Sequence, residues 1–508
     1  MLNFIDNLLN RITMYRLVLY YLIFLITAAI VLSLVGVLAF SAVSLIYSVL
    51  FITALCYLVN TIFAWVFEVP PNVESIYITA LILVLIITPM ASLADTGYFI
   101  FIGWAAVWAM ASKYILAIKR KHIFNPAAFA VALTSLTIGH SASWWVGTAA
   151  MLPFVMLGGV LVVRKIQRWD LVLSFFVFAL AAIFVTSNLQ AGVGNVLWRV
   201  FTDTPLLFFA FIMLTEPLTT PPTRAGRTAY GVLTGVLFAP NINLAGFYFT
   251  PELALLAGNI FSYFISPKNK YLLKLQAKIR TGLDTADFIF FPDKALSFRP
   301  GQYLEWTLAH NNNDNRGNRR YFTLASSPTE HQVRLGVKFY PQASSFKRAL
   351  IALNSGETML AGQLAGDFVL PKNKNKKLAF IAGGIGITPF RSMIKYLIDK
   401  NERRDAVLFY SNKTADEINY KDVFDRAEAQ LGIKTIYTLT DAKELPQDWQ
   451  GYSGKISSSL ISKEVPDYKQ RIFYISGPRS MVTTFEDTLK LMGVPRRHIK
   501  VDFFPGFA

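Results

Sequence analysis

The sequence predicts three parts in order: a multi-spanning α-helical membrane domain of about ten helices (1–268), an antiparallel β-barrel (269–373) and a doubly wound α/β domain (374–508). The first observation behind this is where the apolar residues fall. They make up 54% of the 508 residues, lie mostly before Ser266, and give a mean hydropathy of +0.42; a soluble chain of this length carries more charge. The second is the texture after Lys270, where short alternating stretches are separated by turn residues. The third begins at Lys376, where apolar strands alternate with helical segments, the pattern of a parallel sheet covered by helices.

In the first part, apolar segments of near-spanning length lie near 17–38, 42–66, 76–92, 98–116, 124–139, 145–163, 171–187, 200–215, 228–240 and 247–265. A span needs about 20 mostly apolar residues, and the fifth, eighth and ninth segments fall short of that. The opening stretch "MLNFIDNLLNRITMYR" is weakly amphipathic and leads into a run long enough for a first span rather than the core of a cleavable signal. With Arg11 and Arg16 inside, ten crossings place "AIKRKH", "VRKIQRW", "TRAGR" and "SPKNK" on that same side. The opposite loops "ASLADTG", "IGHSAS" and "APNINLA" carry no Lys or Arg, and Arg199 is the one exception. The asymmetry predicts a multi-pass protein of the cell membrane with both termini cytoplasmic. It also accounts for much of the formal charge of +17 and the pI near 9.7 without any nucleic-acid partner.

Two residue types narrow the chemistry. The single cysteine, Cys56, excludes an intrachain disulfide, a Cys-ligated iron–sulfur cluster and a C-x-x-C-H haem attachment. Of five histidines only His122 and His140 lie in the apolar half, too few for two haems held by four His on paired helices. No metal ligands are predicted.

The barrel is read from "LSFRPGQYLEWTL", "RYFTLASSP", "QVRLGVKFY" and "GDFVLP", and "PKNKNKK" links it to the last part. There the strands are "KLAFIAGG", "DAVLFYSN", "KTIYTLT" and "RIFYISG". Between and after them come the helical segments "TPFRSMIKYLIDK", "YKDVFDRAEAQL" and "SMVTTFEDTLKLMG". "FIAGGIGITPF" puts Gly383, Gly384 and Gly386 between a strand and a helix start, where a backbone can approach a pyrophosphate and the helix offers free N–H groups. Arg320 suits a phosphate contact, Phe322 can lie against a flat ring, and Thr323 offers a hydroxyl to a heteroaromatic edge. Each of these motifs alone is also compatible with an ordinary turn or a basic surface hairpin.

Taken together and in this order, the motifs of residues 272–508 resemble the ferredoxin–NADP reductase family. "RPGQY" resembles the family's barrel entry, and Arg320, Tyr321, Phe322 and Thr323 match its flavin motif R-x-[YF]-[ST]. Ser344, Ser345 and Phe346 open the segment that resembles the family's flavin pyrophosphate loop, where Ser344 replaces the usual Gly. "GGIGITP" and "SGPRSM" match its two nicotinamide-dinucleotide motifs, and "VDFFPGF" its C-terminal tail. The resemblance implies FAD as cofactor and NAD(P)H as substrate. It implies catalytic roles for Thr323, Ser476 (often Cys in the family) and Phe504. Val337, Lys338, Gly383, Gly384, Gly386, Ile387, Thr388, Pro389, Thr440, Asp441, Gly477, Pro478 and Met481 are then cofactor-binding positions alongside those already named. Asp441 stands where NADP-specific members often have Arg. An acid suits a free ribose 2′-OH and repels a 2′-phosphate, so NADH is favoured; Lys434 and Lys443 are the rival phosphate contacts.

Residues 15–265 resemble the membrane subunits B of the sodium-pumping NADH:quinone reductase and D of the Rnf complex, on "IFNPAAF" and "FIMLTEPLTTPPTRAGRTAYG". That family carries FMN on a Thr of an S-G-A-T type motif, which this sequence lacks; a flavin held without a covalent link stays open. "TEPLTTPPT" is either a Pro-rich connector or the lining of a cytoplasmic-side pocket, and Asn125 either caps a helix or faces a ligand. The whole then reads as a membrane-bound flavin oxidoreductase that passes electrons to a membrane flavin, a quinone or a partner redox protein. The other class is an ion-translocating or transport protein with a redox-sensing reductase domain.

Overall fold

The computed structural model describes residues 5, 9, 12–68, 73–90, 95–118, 121–187, 192–240, 242–244, 246–267, 270–310, 314, 317–441 and 445–502, and divides into two units, Met1–Lys268 and Asn269–Ala508. The first unit is helical: α1 (Met14–Leu34), α2 (Ala42–Val66), α3 (Val73–Ile86), α4 (Thr96–Ile115), α5 (Pro126–Ile138), α6 (Leu152–Ile166), α7 (Trp169–Thr186), α8 (Val193–Thr202), α9 (Leu206–Phe208, running into a π turn over Phe209–Met213), α10 (Arg224–Phe238) and α11 (Pro251–Ile265). Side-chain caps set many of the starts. Thr13 accepts from Arg16 N, Ser41 from Ser44 N, Asp95 from Tyr98 N and Thr250 from Leu253 N, satisfying donors that the helix itself leaves open.

A helix forms at each predicted apolar segment, but among the described residues the helix lengths do not confirm ten spans. Among the described residues, α1, α2, α4 and α7 are long and apolar enough to cross a membrane, and α8 with α9 and its π turn would add a fifth, bent by 62°. Helices α3, α5 and α11 run for only 14, 13 and 15 residues, or roughly 20 Å against a hydrocarbon layer of about 30 Å. Local chemistry cuts them short. Asn125–Pro126 starts α5 and Gly139, at φ +70°, ends it; Pro205 stands at the bend between α8 and α9. Large apolar side chains face outward, among them Val43, Trp65 and Val185, at 77%, 80% and 84% exposure. Exposed apolar side chains of this size suit lipid. Inside, Gly231 and Gly235 on α10 let that helix press against the backbone of α7, where an added Cβ would lie 2.8 Å from Leu171 O and 2.7 Å from Phe175 O.

The second unit has two sheets. The first is antiparallel, built of β1 (Tyr271–Arg280), β2 (Thr285–Pro292), β3 (Tyr303–Thr307), β4 (Arg319–Thr323), β5 (Val333–Lys338) and β6 (Thr358–Ala365), with α12 (Ser345–Ala352) between β5 and β6. Its order is β4-β3-β6-β1-β2-β5. Among the described residues the ladder stays open between β4 and β5; just past the end of β4, Ala325 N donates to Arg334 O at 3.0 Å. Tyr271, Leu273 and Leu275 of β1 alternate inward onto Phe288, Phe290 and Trp306, as a half-buried strand requires. "GDFVLP" forms no strand: its Val369 carbonyl instead accepts from Tyr474 Oη at 2.8 Å.

The other sheet is parallel: β7 (Leu378–Gly383), β8 (Ala406–Asn412), β9 (Lys434–Leu439), β10 (Tyr452–Ser453), β11 (Ile472–Ser476) and β12 (Ile499–Asp502), in the order β10-β9-β8-β7-β11-β12. Helices α13 (Thr388–Asp399), α14 (Lys421–Leu431), α15 (Ser458–Glu464) and α16 (Arg479–Leu491) connect the strands. Every residue of β7 is buried, and two hydrophobic clusters include its alternating side chains. That is why "LAFIAG" reads as one apolar run.

Candidate functional site

Strand β4 buries two polar residues. Arg320 and Thr323 are buried, and Tyr321 points outward and donates its hydroxyl to Glu305 at 2.8 Å. The Arg320 guanidinium lies 5.1 Å from the centre of the Phe346 ring and donates to Gly317 O at 3.1 Å. Phe322 packs tilted on Phe346 at 6.0 Å. Phe346 belongs to the first turn of α12, whose start is an anion-binding end. Ser344 caps it by accepting from Lys347 N, and Ser345 N donates to the Asp314 carboxylate at 2.8 Å. A carboxylate at these N–H groups, with Arg320 close by, is the donor set that a phosphate also uses. On β5, Val337 is buried, while the Lys338 ammonium is paired with Glu417 at 2.8 Å.

The second part of the site lies at the carboxyl ends of β7, β8, β9 and β11, where open α/β sheets bind ligands. A single tight turn, Gly384–Ile387, joins β7 to α13, with Thr388 and Pro389 in the first helical turn. Gly384 has φ +51°, and an added Cβ there would meet nothing within 4 Å. At Gly386 a Cβ would fall 2.5 Å from Ser476 O and 2.6 Å from Gly477 N, so only glycine lets the two loops touch. Gly383 is closed over by Met481, and Pro478 stands at the N-cap of α16. Ser476 is buried opposite Ala382. Next to β8, Thr440 N donates to Asn412 O at 3.0 Å, and the Asp441 carboxylate lies 3.9 Å from Lys413 Nζ. Lys434, at the opposite end of β9, pairs with Glu464 at 2.8 Å. The buried Thr438 hydroxyl has no hydrogen-bond partner among the described residues. An open glycine cradle with an unsatisfied buried hydroxyl nearby fits a dinucleotide.

Asp502 was missed by sequence reasoning. Pairing of β11 with β12 sets it beside Ser476, and Thr323 Oγ1 donates to its Oδ2 at 3.3 Å. Burial pushes the Asp502 carboxyl up to about 7, the hydrogen bond from Thr323 working in the opposite direction. Thr323, Ser476 and Asp502 thus meet although they come from both sheets. The only sequence signal was an acid inside the apolar "VDFF". Phe504 and Lys443 lie outside the described residues.

In the helical unit, "FNPAAF" and "TEPLTTPPT" are brought together. Asn125 caps α5 through Ala127 N and Ala128 N, and its amide donates to Glu216 Oε2 at 2.9 Å. Thr219 donates to the same oxygen at 3.2 Å. Asn259 accepts from Asn125 N at 2.8 Å and donates to Tyr230 Oη at 2.9 Å. Glu216 therefore sits among hydrogen-bond donors, as a carboxylate inside apolar surroundings must.

Comparison with known proteins agrees with this division. The sequence model of the NQR2, RnfD, RnfE family matches residues 112–270, and that of the oxidoreductase NAD-binding domain matches residues 380–487. The flavohemoprotein of Oceanobacillus iheyensis is 24% identical over 242 residues, covering 46% of this chain and 58% of that protein. NADH-cytochrome b5 reductase 1 of Ajellomyces capsulatus is 29% identical over 213 residues, covering 40% and 66%. This chain thus spans about three-fifths of the length of these relatives. Among solved structures, the FAD/NAD-binding domain of the Vibrio cholerae nitric oxide dioxygenase aligns at 19% identity and a TM-score of 0.41, covering 46% of this chain and 98% of that one. Residues 112–270 are thus similar to the NQR2, RnfD, RnfE family, and residues 380–487 are similar to the oxidoreductase NAD-binding domain.

Proposed function

We propose that the protein is a membrane-bound, multi-pass flavin oxidoreductase that takes hydride from NADH to FAD and hands electrons to a membrane acceptor, a second flavin or a quinone. The observation that carries this reading is the meeting of Thr323, Ser476 and Asp502 beside the Gly383–Gly386 turn. FAD, when bound, supplies a two-electron acceptor that can release its electrons singly. Arg320 and the N-terminal N–H groups of α12 hold its phosphates, and Phe346 braces the Arg320 guanidinium. The Thr323 hydroxyl, held by Asp502, would be offered to the edge of the flavin ring. The Gly383–Gly386 turn and the start of α13 hold the nicotinamide dinucleotide, with Asp441 toward the adenosine ribose. Ser476 would lie beside the nicotinamide, and Phe504, outside the described residues, is the aromatic expected from the sequence motif to join it. The reductase named for NADH among the relatives supports the choice of NADH over NADPH.

The charge asymmetry of the loops supports cytoplasmic termini, which puts the reductase unit on the NADH side. The cluster around Glu216 supports a polar pocket in the helical unit, where an FMN or another flavin would be held without a covalent bond. Flavin analysis of the purified protein, followed by NADH-driven quinone reduction in liposomes, tests the reading. A transporter with a redox-sensing domain would bind flavin yet show no sustained NADH turnover with any membrane acceptor.

A further inference from the structure

Helix α13 begins at the dinucleotide turn, and one turn further on it is bonded to the flavin side of the unit. Arg391, almost fully buried, donates from Nη1 to Ala325 O at 2.7 Å and grips Glu330 through both Nη1 and Nη2, at 2.7 and 3.0 Å. Ser392 Oγ donates to Ser326 O at 2.6 Å. Ala325 and Ser326 follow closely on Thr323 in the chain, so the turn that would hold the nicotinamide dinucleotide and the strand that would hold the flavin share one short rigid connection.

A second connection lies on the other flank. The loop before α14 docks on β2 and β5: Lys338 pairs with Glu417 at 2.8 Å, Thr285 Oγ1 donates to Asn419 Oδ1 at 3.1 Å, and Tyr420 Oη donates to Asp287 Oδ1 at 2.6 Å. Asp287 is wholly buried and also accepts from Arg334 Nη1 at 2.6 Å. Its cross-strand neighbour is Gly336, where an added Cβ would lie 2.6 Å from Tyr420 Oη and 2.9 Å from Thr388 Cγ2. The missing side chain makes room for the tyrosine hydroxyl and for the first residue of α13 together. Tyr420 itself has φ +61°, a costly backbone for a bulky residue, and its ring lies 5.4 Å from the Arg391 guanidinium. The two connections therefore meet at Tyr420.

We propose that Tyr420, through Asp287 and Arg391, is a positioning residue that fixes the distance between the nicotinamide and the flavin ring. The inference rests on the flavin reductase reading and deepens it. Packed lobes of one chain ordinarily slide and hinge when their contact is small and polar. Here a buried carboxylate and a buried guanidinium, each with several partners, would have to be stripped of them for the lobes to shift. Hydride transfer is sensitive to displacements of about an ångström, so a bracket that prevents them acts on the chemical step and not on cofactor affinity.

The test uses the full chain in lipid nanodiscs and compares Tyr420→Phe, Arg391→Lys and the wild type. Flavin content, the Kd for NADH, the rate of flavin reduction after rapid mixing, and the isotope effect with deuterated NADH are measured. Tyr420→Phe keeps the ring and removes only the bond to Asp287. The proposal predicts flavin content and Kd within about twofold of wild type, a reduction rate lower by about tenfold, and a larger isotope effect. Arg391→Lys should show the same pattern. If the variants reduce flavin as fast as wild type, or lose rate only in proportion to lost flavin, the network is merely structural and the proposal falls. If wild type itself shows no NADH-dependent flavin reduction, the flavin reductase reading fails first and takes this proposal with it.

Discussion

Replacing Asp502 by asparagine gives the prediction best quantified from the structure. A carboxyl raised from 3.8 to about 7 keeps its proton in the folded protein at pH values where the unfolded chain has lost it. Between those values the folded state binds more protons than the unfolded state, so stability falls as pH rises from about 4 to about 7 and then levels off. The full difference corresponds to roughly 4 kcal/mol. Because Asp502 keeps partial contact with solvent, about half of that, ~2 kcal/mol, is the working figure. An asparagine side chain in its place is uncharged throughout and can still accept from Thr323. The Asp502→Asn variant should therefore be more stable at pH 8, by about 4–8 °C in melting temperature for a unit of this size, and no more stable at about pH 4.5. Melting followed by flavin fluorescence across that range is the assay. A variant that gains nothing at pH 8, or gains equally at both pH values, would refute the claim that burial holds this carboxyl protonated.

Arg320→Ala should release flavin, since a charge-assisted bond to phosphate is worth roughly 1.5–3 kcal/mol, whereas Thr323→Val should retain flavin and slow its reduction; dialysis and rapid mixing separate the two. Asp441→Arg should move the kcat/KM ratio toward NADPH, each tenfold change being ~1.4 kcal/mol, and steady-state kinetics with both nucleotides read it. Reporter fusions at Asp95 and His140 should both read as outside; an inside signal at either breaks the orientation proposed for those loops.

The doubly wound sheet was legible because each of its central strands is an apolar run followed by a helical period, and periodicity of that kind is local. So was the Gly383–Gly386 turn, whose glycines stand between a strand and a helix in the sequence itself. The meeting of Thr323 with Asp502 was not, because 179 residues separate them and only the β11–β12 pairing brings them together. Asp287 was hidden for the same reason. Within "ADFIFF" it looks like a solvent-facing strand residue, yet it is wholly buried because Tyr420 arrives from a distant loop. The structure does not confirm the count of ten spans, and at Asn125–Pro126, Gly139 and Pro205 a helix starts, stops or bends within an apolar segment. These breaks change the length of a helix without changing how apolar it is.

The most direct test of the account is anaerobic addition of NADH to the purified full-length protein while its visible absorbance is recorded. The account predicts a bound flavin spectrum that bleaches with NADH and returns when a quinone is supplied in liposomes. A colourless protein, or a bound flavin that NADH leaves oxidised, would contradict it.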